Sequence, residues 1–236
     1  MITNTRGIVF RTIKYSETSV ISKIYTEKFG MQSYIVNGVR SSKSKMKASQ
    51  FQIMSMLDME VYYHEHRNIN RIKELRSYYS FTSLLFNPLK SAVGLFMIEV
   101  LNKCIHEEEQ NEQVFRFISE KLISIDKLQH LSPDYLIKFL LELAALLGFT
   151  PHGNYSDETS FFDLKEGHFI SAIPNHQHFL NEQLSEIFSK LVLELKTELT
   201  VSVRRKLLEA LLEYFQLHVP NFSKPKSLAV LEEVFR

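Results

Sequence analysis

Tryptophan is absent from this chain, and cysteine occurs once, at Cys104. A single thiol makes no intrachain disulfide and supplies no cysteine zinc site, which takes about four Cys or His ligands. Cys104 falls in an apolar helical pattern and reads as an inert core thiol. No apolar run approaches the roughly 18 residues of a membrane span. Met1–Arg6 lacks the apolar centre of a secretory signal. The expectation is a cytoplasmic protein with no membrane partner. Catalytic motifs are missing too: there is no GxxxxGK[ST], GxGxxG, HExxH or nucleophile elbow. His64-Glu65-His66 is the densest titratable group and reads as a solvated strand end. Glu107-Glu108-Glu109 reads as an exposed helix end. Enzyme classes built on those motifs drop out.

What is present is unevenly distributed. The formal net charge of the 236 residues is only +1. Residues 1–80 nevertheless carry 13 Lys and Arg against 6 Asp and Glu, leaving 15 against 21 for the rest. A basic front and an acidic back imply two surfaces with different partners. The basic excess peaks at Asn37-Gly38-Val39-Arg40-Ser41-Ser42-Lys43-Ser44-Lys45-Met46-Lys47, which holds four cations and no carboxylate. Asn37-Gly38 opens it with turn chemistry, since both residues tolerate positive φ. Such a loop suits a polyanion; a solvated surface loop is the competing reading.

Short β-branched and aromatic runs flank it: Ile8–Ile13, Val20–Tyr25 and Ser33–Val36 before, an alternating stretch over Ile53–Tyr63 and a fifth candidate over Asn68–Leu75 after. Five short strands with no long helix between them fit a small barrel, for which the OB-fold is the common solution. The pattern turns helical at Asn87-Pro88. Stripes then run through Val93–Cys104, Val114–Ile125, Leu136–Leu147, Leu184–Leu195 and Val203–Phe215, with a short last helix over Leu228–Phe235. Phe161–Leu164 and His168–Ala172 around Lys165-Glu166-Gly167 read as a β-hairpin set among the helices. The fold class is therefore α+β and multidomain: a five-stranded OB-fold barrel over 1–80, then a helical bundle over 81–236 carrying a hairpin insert at 148–178.

Several segments, taken in order, resemble the RecO family of bacterial recombination mediators. They are Gly7–Arg11, Lys14–Ser19 with Ile21, Thr26–Gly30, Val36–Arg40 with Ser44 and Phe51, Gly148–Pro151, and Leu207-Leu208 through Tyr214-Phe215 and His218. The succession is specific rather than any one motif. The resemblance implies a non-enzymatic protein of DNA repair and recombination after DNA damage. It implies binding to single- and double-stranded DNA, annealing of complementary strands, and help in loading RecA onto strands coated by single-strand-binding protein (SSB). RecR, and in some bacteria RecF, are the implied partners, and the implied location is the nucleoid-associated cytoplasm. The family's zinc module usually carries four cysteines shortly after Pro151, where this chain has Asn154, Tyr155, Ser156 and Thr159. His152, His168, His176 and His178 are nearby, but His152 and His168 lack paired ligand spacing and His176-x-His178 shares one side only if that piece is extended, so no metal and no other cofactor is expected. A degenerate module is expected instead, with Phe161, Phe162, Leu164, Phe169 and Ile170 as an apolar cluster.

On this resemblance Arg40, Lys43, Lys45 and Lys47 become the expected phosphate contacts, with Arg40 able to hold a phosphate bidentately. Arg67, Arg71, Lys73 and Arg76 extend the track, with edge-strand solubility as the competing reading. Tyr15, Tyr25, Tyr34 and Tyr62 are candidates to stack on bases, against plain core roles. Arg204, Arg205 and Lys206 are candidates to receive the acidic, apolar SSB C-terminal tail, against surface pairing such as Arg205 with Glu209. The alternative to the whole reading is a protein-interaction scaffold that has lost DNA binding.

Overall fold

The computed structural model describes residues 1–39, 46–64, 67–106 and 108–234. Two compact units form: Met1–Gln129 with Pro225–Arg236, and His130–Lys224.

The first unit begins with β1 (Ile2–Lys14), β2 (Val20–Thr26), β3 (Gly30–Val36), β4 (Met56–Tyr62) and β5 (Asn70–Tyr79). They close into a barrel in the order β1-β2-β3-β5-β4. Closure works because β1 is long: Ile2–Ile8 pair with β4, while Gly7–Lys14 pair with β2. Gly7 sits where the two ladders overlap, and a Cβ there would lie 2.6 Å from both Ile24 Cγ2 and Met59 Cε. Alternation puts Leu57, Met59 and Val61 of β4 into the core with Val9, Val20, Ile24, Tyr34, Val36 and Ile72, leaving Asp58, Glu60 and Tyr62 facing outward. The expected strand over Ile53–Tyr63 starts later than its alternation suggests. A 3-10 turn at Ala48–Phe51 sends Phe51 into the barrel, Thr12 Oγ1 donates to the Phe51 carbonyl at 2.8 Å, and Met54 turns the chain at φ 74°. Conversely, β5 runs on to Tyr79, because its later residues still find partners on β4.

Helices α1 (Pro88–Cys104) and α2 (Glu112–Lys127) belong to the same unit, as does α6 (Ser227–Val234). Asn87 and Asn111 cap α1 and α2, accepting from the N–H of Lys90 and Val114. Among the described residues no helix is long and apolar enough to cross a membrane.

The second unit holds α3 (Tyr135–Leu146), α4 (Glu182–Val192), α5 (Val201–His218) and a small sheet. The expected hairpin is present as β6 (Phe161–Asp163) and β7 (His168–Ile170), joined by a turn in which Asp163 Oδ1 accepts from Lys165 and Glu166 N–H. A third strand, β8 (Phe179–Leu180), pairs with β6; its two residues are too short for a periodic signal. Gly167 has φ 74°, and its Cα faces the Tyr214 hydroxyl closely enough to leave no room for a side chain.

Candidate functional site

Arg40, Lys43 and Lys45 lie outside the described residues. The roots of their loop are described. Asn37 Oδ1 accepts from Ser19 Oγ at 3.0 Å, tying the loop's start to the β1–β2 turn. Gly38 takes φ 73° with open space around it. Val39 then turns inward and is buried in the barrel core. Ala48 N–H donates to the Val39 carbonyl at 3.3 Å, so the chain leaves and returns at one point on the barrel. Lys47 is exposed at the returning root.

The register separates the other expected cations. Lys14 lies opposite Val20, and Val20 opposite Val36, so the loop's root, the β1–β2 turn and Lys14 share one barrel end. Ile2 lies opposite Tyr62, and the Phe29 and Tyr63 rings stack, so the N-terminal end of β1, the β2–β3 turn and the β4–β5 connection share the other. Arg67, whose N–H donates to the His64 carbonyl at 3.1 Å, belongs to that second end, away from the loop. Arg71 is exposed on the flank, opposite Tyr62. Lys73 donates to Glu60 at 3.1 Å, and Arg76 grips Asp58 Oδ2 through Nε at 2.9 Å and Nη2 at 2.7 Å. The hydrogen bond to Glu60 pushes the Lys73 ammonium up from its ordinary value. Exposed pairs of this kind contribute little in water, which a closely held phosphate offsets.

Sequence reasoning missed Arg11, Lys14 and Lys23. Arg11 and Lys23 face each other across the β1–β2 ladder. Partial burial first, and then Arg11, push the Lys23 ammonium down, against the partly offsetting charge of Glu108. Among the described residues none of the three has a carboxylate within ion-pair distance. Facing like charges are unfavourable, and an anion laid across them relieves the repulsion. The signal that would have found them is cross-strand pairing, which needs the register. Arg6, by contrast, is taken by Glu27 and lies over the Tyr78 and Phe115 rings.

The stacking candidates divide. Tyr25 and Tyr34 are 1% and 0% exposed, so neither ring faces a strand of DNA; Tyr34 fills the barrel core, while Tyr25, on the other face of β2, is covered by Phe10 and by Phe115 of α2. Tyr15 is 63% exposed in the β1–β2 turn and Tyr62 is 40% exposed on β4.

In the second unit the rings of the hairpin close on those of α4 and α5. Phe162 is fully buried, 4.9 Å from Phe169, 4.7 Å from Phe188 and 6.0 Å from Tyr214. The histidines pair with carboxylates or carbonyls: His176 with Asp163 at 3.2 Å, His178 with Glu213 at 2.5 Å, His168 with the Glu166 carbonyl at 3.4 Å. Among the described residues no three His, Cys, Asp or Glu groups converge as metal ligands do. Arg204, Arg205 and Lys206 point apart, as successive helical residues must. Arg204 Nε donates to Asp134 Oδ1 at 2.8 Å, Arg205 Nε to Glu209 at 3.2 Å, and Lys206 is exposed. Asp134 also edges a groove of about 620 Å³ lined by Leu141, Pro151, Leu191 and Leu195, whose charged groups are of both signs: Lys138 and Lys196 against Asp134, Glu142 and Glu194.

Residues 1–81 match the family signature described as Recombination protein O N terminal, and residues 85–229 the one described as Recombination protein O C terminal. The chain is similar over its whole length to proteins named DNA repair protein RecO. That of Phocaeicola vulgatus is 33% identical over 240 residues, covering 100% of both chains. That of Azobacteroides pseudotrichonymphae is 31% identical over 241 residues, again covering 100% of both. That of Flavobacterium psychrophilum is 35% identical over 243 residues, covering 98% of both.

Proposed function

The chain belongs to the RecO family of DNA repair and recombination proteins, and from that premise we propose that it binds and anneals DNA strands and, with RecR, helps RecA load onto SSB-coated single strands. The observation that carries this reading is the end-to-end family match on a chain whose front third is a closed barrel interrupted by a cation-rich stretch. The strand order β1-β2-β3-β5-β4 supports reading the barrel as an OB-fold. Arg40, Lys43, Lys45 and Lys47 contact phosphates, joined by Arg11, Lys14 and Lys23 at and beside the same barrel end and by Arg71 on the flank. Lys73 and Arg76 join only by exchanging Glu60 and Asp58 for phosphate; Arg67 serves the opposite end. No bond-making chemistry is assigned. The ring cluster around Phe162 does for the hairpin what a metal does in zinc-bearing relatives. The SSB tail takes the groove beside Asp134, meeting Lys138 and Lys196 there and drawing Arg204 away from its bond to Asp134. Arg205 and Lys206 lend only longer-range charge. The protein works in the cytoplasm, at the nucleoid.

The test is binding of labelled oligo(dT) against salt for wild type and a quadruple alanine variant at Arg40, Lys43, Lys45 and Lys47. Each lost phosphate contact flattens the log–log salt slope by about 0.7 for a single strand, so the variant's slope drops by up to about 3. Failure of wild type to bind at low salt, or an unchanged slope in the variant, overturns the reading and favours a protein-only scaffold.

A further inference from the structure

The far end of the barrel carries a feature that the basic loop does not explain. Phe29, from the β2–β3 turn, and Tyr63, just past β4, stack with centroids 3.8 Å apart and planes 10° from parallel. Both rings sit against the barrel core yet are only half-buried. They border a hollow of about 690 Å³ shared with Thr3, Lys28, His64 and Gln110, within the roughly 300–1,000 Å³ of small-ligand sites. Among the described residues no carboxylate lines it. Its one charged side chain is a cation, Lys28, exposed on its rim; the exposed His64 beside it is a polar imidazole, and Arg67 follows in the same connection, its N–H on the His64 carbonyl. Desolvation first, and then the charge of Arg67, push the His64 imidazole down. Thr3 Oγ1 is shielded from solvent and makes no hydrogen bond within the protein. The hollow thus combines a rigid aromatic face, neutral polar groups and a cation on its rim. Ring closure of the barrel alone requires neither the cation nor the half-exposed rings.

We propose that this hollow holds one nucleotide of a single DNA strand, its base stacked on the Phe29–Tyr63 pair and its phosphate against Lys28 and Arg67. The inference rests on the DNA-binding reading above and adds a second contact at the opposite barrel end. Stacking is tolerant of sequence because every base presents a π-face. A strand gripped at both ends of the barrel is held extended with its other bases free to pair, as annealing requires.

The test compares a dT dodecamer with an abasic dodecamer of equal phosphate count, using the full chain. Tyr63→Leu keeps apolar bulk and removes the aromatic face. It is expected to weaken dT binding about ten-fold while leaving abasic binding within two-fold. Lys28→Ala, at an exposed side chain, weakens both about three-fold. Wild-type dT affinity in a folded Tyr63→Leu protein, or equal weakening on both oligomers, overturns the proposal. If Tyr63→Leu fails to fold, wild type is photo-crosslinked to a dodecamer containing 5-iododeoxyuridine. Adducts on Phe29 or Tyr63 support the proposal, and adducts only elsewhere overturn it. Wild type that binds neither oligomer removes the DNA reading and this inference together. Binding that depends on the Arg40–Lys47 loop but ignores Tyr63 removes this inference alone.

Discussion

Asp126 is 4% exposed and accepts from the backbone N–H of Thr82, Ser83 and Leu84 at 2.7–3.1 Å, and from Thr82 Oγ1 and Tyr79 Oη at 3.1 Å. Beside it the buried Lys90 ammonium donates to Ser83 Oγ and to the Asp126 and Leu128 carbonyls. Burial alone would raise the Asp126 carboxyl, but the donated N–H bonds overcome it and hold the group well below the usual carboxylate range. A carboxyl depressed in the folded state contributes stability that is fully present above its unfolded value near 3.9 and is lost as pH falls. Asp126→Asn is therefore expected to cost about 2–3 kcal/mol at pH 7. In urea titrations the gap to wild type should shrink steadily from pH 5 to pH 2; a constant gap would refute the ionic role. None of this was legible in the sequence, where Asp126 is one acid in a helical stripe. The same limit applies to Lys73 and Arg76, which read as free cations until the β4–β5 register supplied Glu60 and Asp58. It applies equally to Tyr34, whose inward face depends on the barrel's closure, and to Tyr25, which is buried from outside by Phe115 of α2.

Elements with local signals were readable. Asn87-Pro88 starts α1, Gly148 follows the end of α3 at φ 86°, and Lys165-Glu166-Gly167 turns the hairpin. Asp134 precedes α3 without capping it: its side chain takes Arg204 rather than a helix N–H. The hairpin's support is entirely tertiary. Strands of three residues have no independent stability, and what holds them is Phe162 against Phe169, Phe188 and Tyr214, with Ser185 Oγ accepting the Phe162 N–H at 2.9 Å. Phe162→Ala should cost about 3–5 kcal/mol. Hydrogen exchange should show the amides of His152 and Phe169 losing protection first, because both bond within the hairpin region. Retained protection there would place the support elsewhere.

At the scale of the whole molecule the last helix returns to the first unit. Glu99 on α1 accepts from Lys226 N–H, Ser227 N–H and Ser227 Oγ at 2.6–2.9 Å, which supplies the cap α6 would otherwise lack, and Leu228 and Leu231 are buried. Burial pushes the Glu99 carboxyl up, and the bonds from Ser227 and Lys226 bring it below its ordinary value. Removing residues 225–236 should strip exchange protection from α1 while leaving α4 and α5 unchanged, with Glu99→Gln a milder form of the same pattern. Loss of protection in α4 and α5 instead would assign α6 to the other unit. By itself the sequence determined the five strands, the helices and the Asn87 cap of α1, the basic front and the family, because periodicity, turn chemistry and ordered motifs are local properties of the chain. Only the tertiary structure decided which cations keep their charge free, which tyrosines face outward, what supports the hairpin and where α6 docks. Those depend on residues far apart in sequence meeting across a ladder or a core, and pairing of that kind leaves no local trace.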